Sequence, residues 1–289
     1  MSPKYTFFSH KQSLNCRGRI IGFDKPLIMG ILNITPDSFY PDSRLTDPEQ
    51  IHKKATDMIV EGADILDVGA CSTRPGAGEI TVREEMQRLG MALEVIRKAH
   101  PDVLISVDTF RSEIAAMTVK EYGIDMINDI SGGDMDPDMF DIIASLKIPY
   151  VLMHMKGIPA NMQKHASYSN VVKEIIYDFS GKIGKLNRLG VNDIIIDPGF
   201  GFAKTIEHNY QILRQLESFH IFNQPLMVGI SRKSMIYKTL DRSPAEALNG
   251  TTVLQTIALM KGANLLRVHD VREAREAIDL VNKTFAQEQ

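Results

Sequence analysis

Cysteine is scarce in this chain of 289 residues, which carries only Cys16 and Cys71. Two cysteines cannot build a disulfide framework, so the fold must rest on a buried core, and a reducing cytoplasm is the expected setting. Neither belongs to a C-x-x-C pair, and the 8 histidines include no close ligand pair, which leaves a zinc centre without support. A surplus of one charge is also missing. Lys and Arg total 33 against 36 Asp and Glu, a net charge of −3, and no long basic run appears, so no nucleic-acid partner is expected. No apolar run is long enough to span a membrane. Met1 to Asn15 is polar and mixed, without the apolar core of a signal peptide, so no membrane association is expected. Two nucleotide signatures are absent as well. No Gly-rich loop ends in Lys-Ser/Thr, which excludes a P-loop, and Gly30-Ile31-Leu32-Asn33-Ile34-Thr35 is not a dinucleotide-binding turn.

What is present is an alternation of apolar strands with amphipathic helices, undivided by any low-complexity linker. A single domain over 1–289 is expected, long enough to bury a sizeable core. Strands are predicted to end near Asn33, Asp67, Asp108, Asp129, His154, Asp197, Gly229 and His269. They are almost wholly apolar, as strands covered on both faces of a parallel sheet must be. Asp47-Pro48-Glu49-Gln50 signals a helix start by its capping carboxylate and first-turn proline, and Gly62 signals the end. Thr81-Val82-Arg83-Glu84 and Ser243-Pro244-Ala245-Glu246 read as capping boxes, and Asp136-Pro137 as another start. Further helices are predicted at Arg111–Tyr122, Tyr168–Leu189, Glu207–Ser218 and Val271–Phe285. Eight βα units in this length predict a (β/α)8 TIM barrel, with a doubly wound open sheet as the alternative, and Tyr5 to Phe23 as a short N-terminal hairpin over the barrel floor.

Parallel barrels gather the carboxyl ends of their strands into one site. The residues at those ends are Asn33, Asp67, Asp108, Asn128-Asp129, Met153-His154-Met155, Asp197, Arg232-Lys233-Ser234, and Arg267 with His269. At any one position, capping a helix or pairing with a neighbour is an equal reading; Asp129 and Asp270 suit such structural roles, and Asp67 suits a buried partner. Together the set is more telling. Asp108, Asn128 and Asp197 are acceptors that would share a pocket with Lys233, and a buried carboxylate needs donors. An aminopyrimidinone edge offers two parallel N–H groups to one carboxylate, while lysine would face a ring carbonyl or nitrogen. Met153 and Phe202 could contact a flat heterocycle. Arg267, His269 and Arg74 point to an anionic subsite, and Asn33 offers a hard amide oxygen suited to Mg2+. Two loops, Ile34–Arg44 and Cys71–Glu79, are expected to close over a ligand.

These residues resemble the dihydropteroate synthases, pterin-binding barrels of folate biosynthesis. The resemblance rests on Ile31–Phe39, Ser72–Ala77, Val107–Phe110, Asn128–Gly132, Asp197–Phe202, Ser231–Ser234 and Arg267–Val271, which follow the family's order along nearly the whole chain. It implies a transferase that joins 6-hydroxymethyl-7,8-dihydropterin diphosphate to 4-aminobenzoate. By position, Asp108, Asn128, Asp197 and Lys233 would bind pterin, with Met153, Gly201 and Val268 beside them. Thr73 and Arg74 would meet the diphosphate-bearing substrate, Arg267 and His269 the diphosphate, and Asn33 the Mg2+. Phe202, Lys233 and Ser234 would border the 4-aminobenzoate pocket, where sulfonamides compete in this family. Lys233, Arg267, Asp108 and Asp197 are the catalytic candidates, and a homodimer is implied. The chain departs from the family at Ala70-Cys71-Ser72, where Gly-Glu-Ser is usual, and after Phe39, where many members carry a Gly pair. A pterin-binding methyltransferase or a non-catalytic pterin-binding homologue are the competing readings.

Overall fold

The protein is described by a computed structural model that covers residues 13–34, 47–71 and 80–285. It opens with an antiparallel hairpin, β1 (Ser13–Cys16) and β2 (Arg19–Gly22). Arg17 and Gly18 turn it with φ of 55° and 90°, the paired positive angles that suit a two-residue loop to the twist of its strands. Residues 5–12 of the expected hairpin segment lie outside the described residues.

Eight parallel strands follow: β3 (Leu27–Asn33), β4 (Ile65–Gly69), β5 (Leu104–Asp108), β6 (Met126–Asp129), β7 (Tyr150–Met153), β8 (Ile194–Asp197), β9 (Met227–Val228) and β10 (Leu265–Val268). Their order is β8-β7-β6-β5-β4-β3-β10-β9. A bridge between Ile196 and Leu226, with Ile196 N donating to Pro225 O at 2.9 Å, closes the ring. The open-sheet alternative is thereby set aside. β9 is only two residues long, shorter than the apolar run Leu226–Ile230 predicts; residues 229 and 230 already belong to the segment that leads to Arg232 and Lys233.

The helices are α1 (Pro48–Val60), α2 (Val82–Ala99), α3 (Ser112–Tyr122), α4 (Met139–Leu146), α5 (Val171–Arg188), α6 (Ile206–Arg214), α7 (Ser234–Tyr237), α8 (Leu248–Met260) and α9 (Val271–Phe285). Asp47 and Thr81 cap α1 and α2 through Glu49 N and Glu84 N, as their sequences require. Three boundaries differ from expectation. The box at Ser243 and Glu246 closes a 3-10 turn, Pro244–Glu246, before α8 begins. α6 stops at Arg214 and gives way to a 3-10 stretch, Leu216–Phe222. Asp136 does not cap α4; it accepts from Ser112 N at 2.7 Å and Asp138 N at 3.0 Å, tying the start of α3 to this turn. Among the described residues no helix is long and apolar enough to cross a membrane.

Strand alternation sorts the barrel interior into layers. The lowest is apolar: Met29, Ile65, Leu104, Met126, Val151, Ile195, Met227 and Leu265, sealed from below by Leu14, Cys16 and Phe23 of the hairpin segment. Two residues further along each strand the interior turns polar, with Asp67, Ser106, Asn128, Asp197 and Arg267 among Ile31, Met153 and Gly229. Outward residues such as Ile28, Leu66, Ile105, Ile127 and Leu266 pack beneath the helices. The apolar floor anchors the barrel while the polar layer faces its carboxyl end.

Candidate active site

One guanidinium organises the polar layer. Arg267 Nε donates to Asp67 Oδ2 and Nη2 to Asp108 Oδ2, each at 2.6 Å. Asn128 Nδ2 donates to the same Asp67 Oδ2 at 2.9 Å. Four strands thus meet through one hydrogen-bonded group. Burial drives the Asp108 carboxyl up to about 7, against the pull of Arg267, and the neighbouring Asp67 charge adds to the rise. Burial works against the Arg267 cation too, but Asp67 and Asp108 hold its pKa above the usual arginine value. Arg267 therefore stands within the carboxylate cluster, whereas the sequence reading assigned it to a separate anion subsite. His269, two residues on, lies exposed at the rim with Nδ1 at 3.0 Å from Ser231 Oγ.

The second cluster lies across the layer. Asp197 Oδ1 accepts from Gly199 N at 2.8 Å, and its carboxyl is raised by burial and lowered in part by Lys233. Lys233 Nζ donates to Phe200 O and sits 4.8 Å from the centre of the Phe202 ring. Burial pushes this ammonium down to about 8, opposed by Asp197. Both groups face Gly229 on the adjoining strand: a Cβ there would lie at contact distance, 3.8 Å from Lys233 Nζ and 3.9 Å from Asp197 Oδ2. Met153 packs with Ile130, Met155, Met162 and Ala203, and Phe202 lies against them as the apolar wall. Asn33 is part-exposed beside Asp108; a Cβ on Gly69 would come within 3.4 Å of its Oδ1.

The other residues singled out from sequence distribute unevenly. Ser234 opens α7 directly after Lys233, and Gly201 O accepts from Gln163 Nε2 at 3.0 Å. Val268 turns its buried side chain outward into the barrel–helix core, so only its backbone can border a ligand. Thr73 and Arg74, and most of both expected closing loops, lie outside the described residues. Asp129 faces outward and is structural, accepting from Ser131 N, Ser131 Oγ, Gly133 N and Tyr150 Oη at 2.6–2.9 Å. Asp270 pairs with Arg232 through two bonds of 2.8 and 2.9 Å.

Two groups escaped the sequence reading. Lys204 is buried, with Nζ donating to Phe202 O at 2.9 Å and His154 O at 3.1 Å, and lying 3.1 Å from His154 Nδ1. It staples the end of β7 to the loop after β8. Its signal is its place at the end of Asp197-Pro198-Gly199-Phe200-Gly201-Phe202-Ala203. Glu85, also buried, accepts from Thr109 Oγ1 at 2.8 Å and Arg111 Nη1 at 2.5 Å, bracing the residue after Asp108. Nothing in the α2 sequence separates it from its solvated neighbours.

Chemically the layer is rich in acceptors. Asp67 Oδ1, Ser106 Oγ and Asn128 Oδ1 are buried and have no protein partner among the described residues. Buried polar atoms are seldom left so, and such a cluster suits a ligand that brings N–H donors. Among the described residues no group of three or more His, Cys, Asp or Glu could hold a metal ion. An ion bound at Asn33 could draw further oxygens from ligand and water.

Comparison with known proteins gives one consistent result. A family model described as pterin binding enzyme matches residues 29–269. The dihydropteroate synthase of Escherichia coli K12 is 41% identical over 275 residues, covering 94% of this chain and 96% of that protein. The structure of the Yersinia pestis dihydropteroate synthase with a sulfonamide drug complex superimposes with a TM-score of 0.90 at 37% identity, over 96% of this chain and all (100%) of that one. The Thermus thermophilus dihydropteroate synthase in complex with 4-aminobenzoate gives 0.84 at 36% identity, over 95% and 100%. An acceptor-rich layer at the carboxyl end of a closed parallel barrel and a likeness that runs nearly end to end lead to the same place: the chain belongs to the dihydropteroate synthase family of pterin-binding enzymes.

Proposed function

We infer that this protein condenses 6-hydroxymethyl-7,8-dihydropterin diphosphate with 4-aminobenzoate, giving 7,8-dihydropteroate and diphosphate. The observation that carries this reading is the acceptor-rich pocket in which Asp197 and Lys233 lie close together and Asn128 Oδ1 lacks a protein partner among the described residues. Asp197 accepts the two parallel N–H groups of the aminopyrimidinone edge, and Asn128 accepts a further ring N–H. Lys233 donates to a ring carbonyl or nitrogen. Met153 lies against the ring, and Asp108 takes a remaining donor. Phe202, Lys233 and Ser234 border the arylamine, in the region where a sulfonamide would compete.

The chemistry needs no side-chain nucleophile. The bond from the pterin methylene carbon to the diphosphate oxygen breaks with its electron pair leaving on diphosphate. The electron-rich ring, held by Asp197 and Lys233, stabilises the positive character left at carbon. His269 at the rim, and those N–H groups of Arg267 that do not bond Asp67 or Asp108, face the departing charge, a fixed electrostatic contribution that requires no reorganisation. The amine nitrogen of 4-aminobenzoate then bonds to the methylene and loses a proton to solvent. Asn33 fits an Mg2+ ion by its hard, part-exposed amide oxygen; when bound, the ion would supply further charge neutralisation for diphosphate. Thr73 and Arg74 complete this proposal at the diphosphate end.

A homodimer and a cytoplasmic setting belong to the same reading. Val253, Met260 and Leu280 on α8 and α9 are 50%, 41% and 68% exposed, apolar side chains that a second copy would cover. Both cysteines are free thiols.

The test is a diphosphate-release assay with each substrate omitted in turn, paired with calorimetry. Release should require both substrates and Mg2+. The binding of 4-aminobenzoate should be negligible to the free enzyme and clear once a pterin and Mg-diphosphate are present. Diphosphate release at the same rate with and without 4-aminobenzoate, or no dihydropteroate formed when both substrates and Mg2+ are present, would refute the assignment.

A further inference from the structure

Asp67 is the shared partner of two groups assigned to the ligand, Asn128 and Arg267. It is fully buried on the inner face of β4. A single oxygen, Oδ2, accepts both Asn128 Nδ2 at 2.9 Å and Arg267 Nε at 2.6 Å. The second nitrogen of Arg267 then reaches Asp108.

The consequence for Asn128 is one of polarity. A carboxamide is nearly symmetric in shape, and its neighbours decide which end is donor and which acceptor. An ionised carboxylate can only accept. Against Asp67 the amide must therefore turn its NH2 toward β4, which leaves Oδ1 as the end that has no protein partner among the described residues. The reverse orientation would press two acceptors together in a buried layer and forfeit the bond to Asp67.

We propose that Asp67 is a specificity-determining positioning residue: it fixes the Asn128 amide with its oxygen toward the ligand, so that the pocket selects a heterocycle presenting an N–H donor there. This rests on the pterin-site reading given above and deepens it. Through Oδ2, Asp67 sets the sign of the group that reads the ligand. A site built to hydrogen-bond one polarity rejects the opposite polarity strongly, because the mismatched groups stay buried and unpaired.

Ligand polarity tests this. With the aminopyrimidinone edge held by Asp197, the ring N–H that remains on a 7,8-dihydropterin is at N8, where the fully oxidised pterin has an unprotonated acceptor nitrogen. In Asp67→Ala the acceptor that holds the Asn128 NH2 is gone, and the amide is free to turn either end to the ligand. In Asp67→Asn, Arg267 Nε still needs an acceptor at the shared position, so the new amide places its oxygen there and keeps both bonds. Calorimetry with the 7,8-dihydro and fully oxidised forms of 6-hydroxymethylpterin at one fixed pH, on proteins checked for folding by circular dichroism, reads the ratio of the two affinities. Wild type and Asp67→Asn should favour the dihydro form, and Asp67→Ala should lose that preference by at least about tenfold. A role confined to holding Arg267 would weaken both ligands and leave the ratio unchanged. The proposal is overturned if Asp67→Ala keeps the wild-type ratio within about threefold, or if Asp67→Asn loses it as fully as Asp67→Ala. Should Asp67→Ala not fold, Asp67→Val, which also lacks an acceptor, decides the question. Failure of the wild type to bind the pterin would instead overturn the site assignment beneath it.

Discussion

Replacing Lys204 by Met should change how stability depends on pH, in a direction the structure dictates. The ammonium is 4% exposed, and among the described residues no carboxylate lies within ion-pairing distance. Its hydrogen bonds go to two backbone carbonyls and one imidazole nitrogen. Burial drives it from 10.5 down to about 7, with Asp197 opposing. The folded pKa is thus below the unfolded one. Above the unfolded pKa both states are neutral and this group costs nothing; as pH falls toward 7 the unfolded chain binds a proton that the folded chain resists, and stability is lost. From pH 9.5 to pH 7 the wild type should lose about 3 kcal/mol through this group, at roughly 1.4 kcal/mol per pH unit. The Met variant loses none of that. It does leave the Phe202 and His154 carbonyls without their donor, at about 1–3 kcal/mol each. The variant should therefore be clearly less stable at pH 9.5 and close to wild type at pH 7. Urea denaturation followed by far-ultraviolet circular dichroism across this range measures the difference directly. His154, whose pKa burial and the Lys204 charge push down to about 2, stays neutral throughout, and Lys233 is common to both proteins and cancels. A gap between the two proteins that stays constant with pH would refute the argument.

Other perturbations have equally definite outcomes. Asp197→Ala should weaken pterin binding by about 2–5 kcal/mol by calorimetry, since it removes a buried charged acceptor; near-normal affinity would remove Asp197 from the site. Pterin affinity should be greatest between about pH 7, above which Asp108 is ionised, and about pH 8, below which Lys233 is protonated; Lys233→Arg should abolish the alkaline fall. A profile flat from pH 5.5 to about 9.5 would contradict both assignments. His269→Ala should weaken binding of the pterin diphosphate more than that of the diphosphate-free pterin, because the side chain stands exposed at the rim; equal losses for both ligands would argue against an anion subsite there. Arg267→Ala should lower stability by about 3–5 kcal/mol, seen as a fall in denaturation midpoint, since it removes the shared donor of the buried Asp67 and Asp108 carboxyls.

The contrast between Asp67 and Glu85 shows where sequence reasoning reaches its end. Periodicity, caps and apolar runs determine the barrel, because each βα unit is encoded locally by which faces must be buried. Asp47 and Thr81 begin their helices where the sequence places them, and the strand ends carry the polar residues expected there. Strand alternation also sends Arg267 and His269 toward the same face and Asp129 away from it. The sequence could not say which inward residues meet. Arg267 and Asp67 are 200 positions apart, and only the pairing of the last barrel strand with the first brings β10 and β4 to either side of β3. That pairing turns Arg267 from an isolated cation into the shared partner of two carboxylates, and it gives Asn128 its polarity. Lys204 and Glu85 were illegible for the same reason: a charged residue on a helix or loop reads as solvated until packing buries it. Local pattern determined the scaffold and the inventory of groups at its carboxyl end. Their pairing, and with it their protonation and orientation, was decided by tertiary structure, because electrostatic and hydrogen-bond energies depend on distances across the barrel that no local spacing encodes.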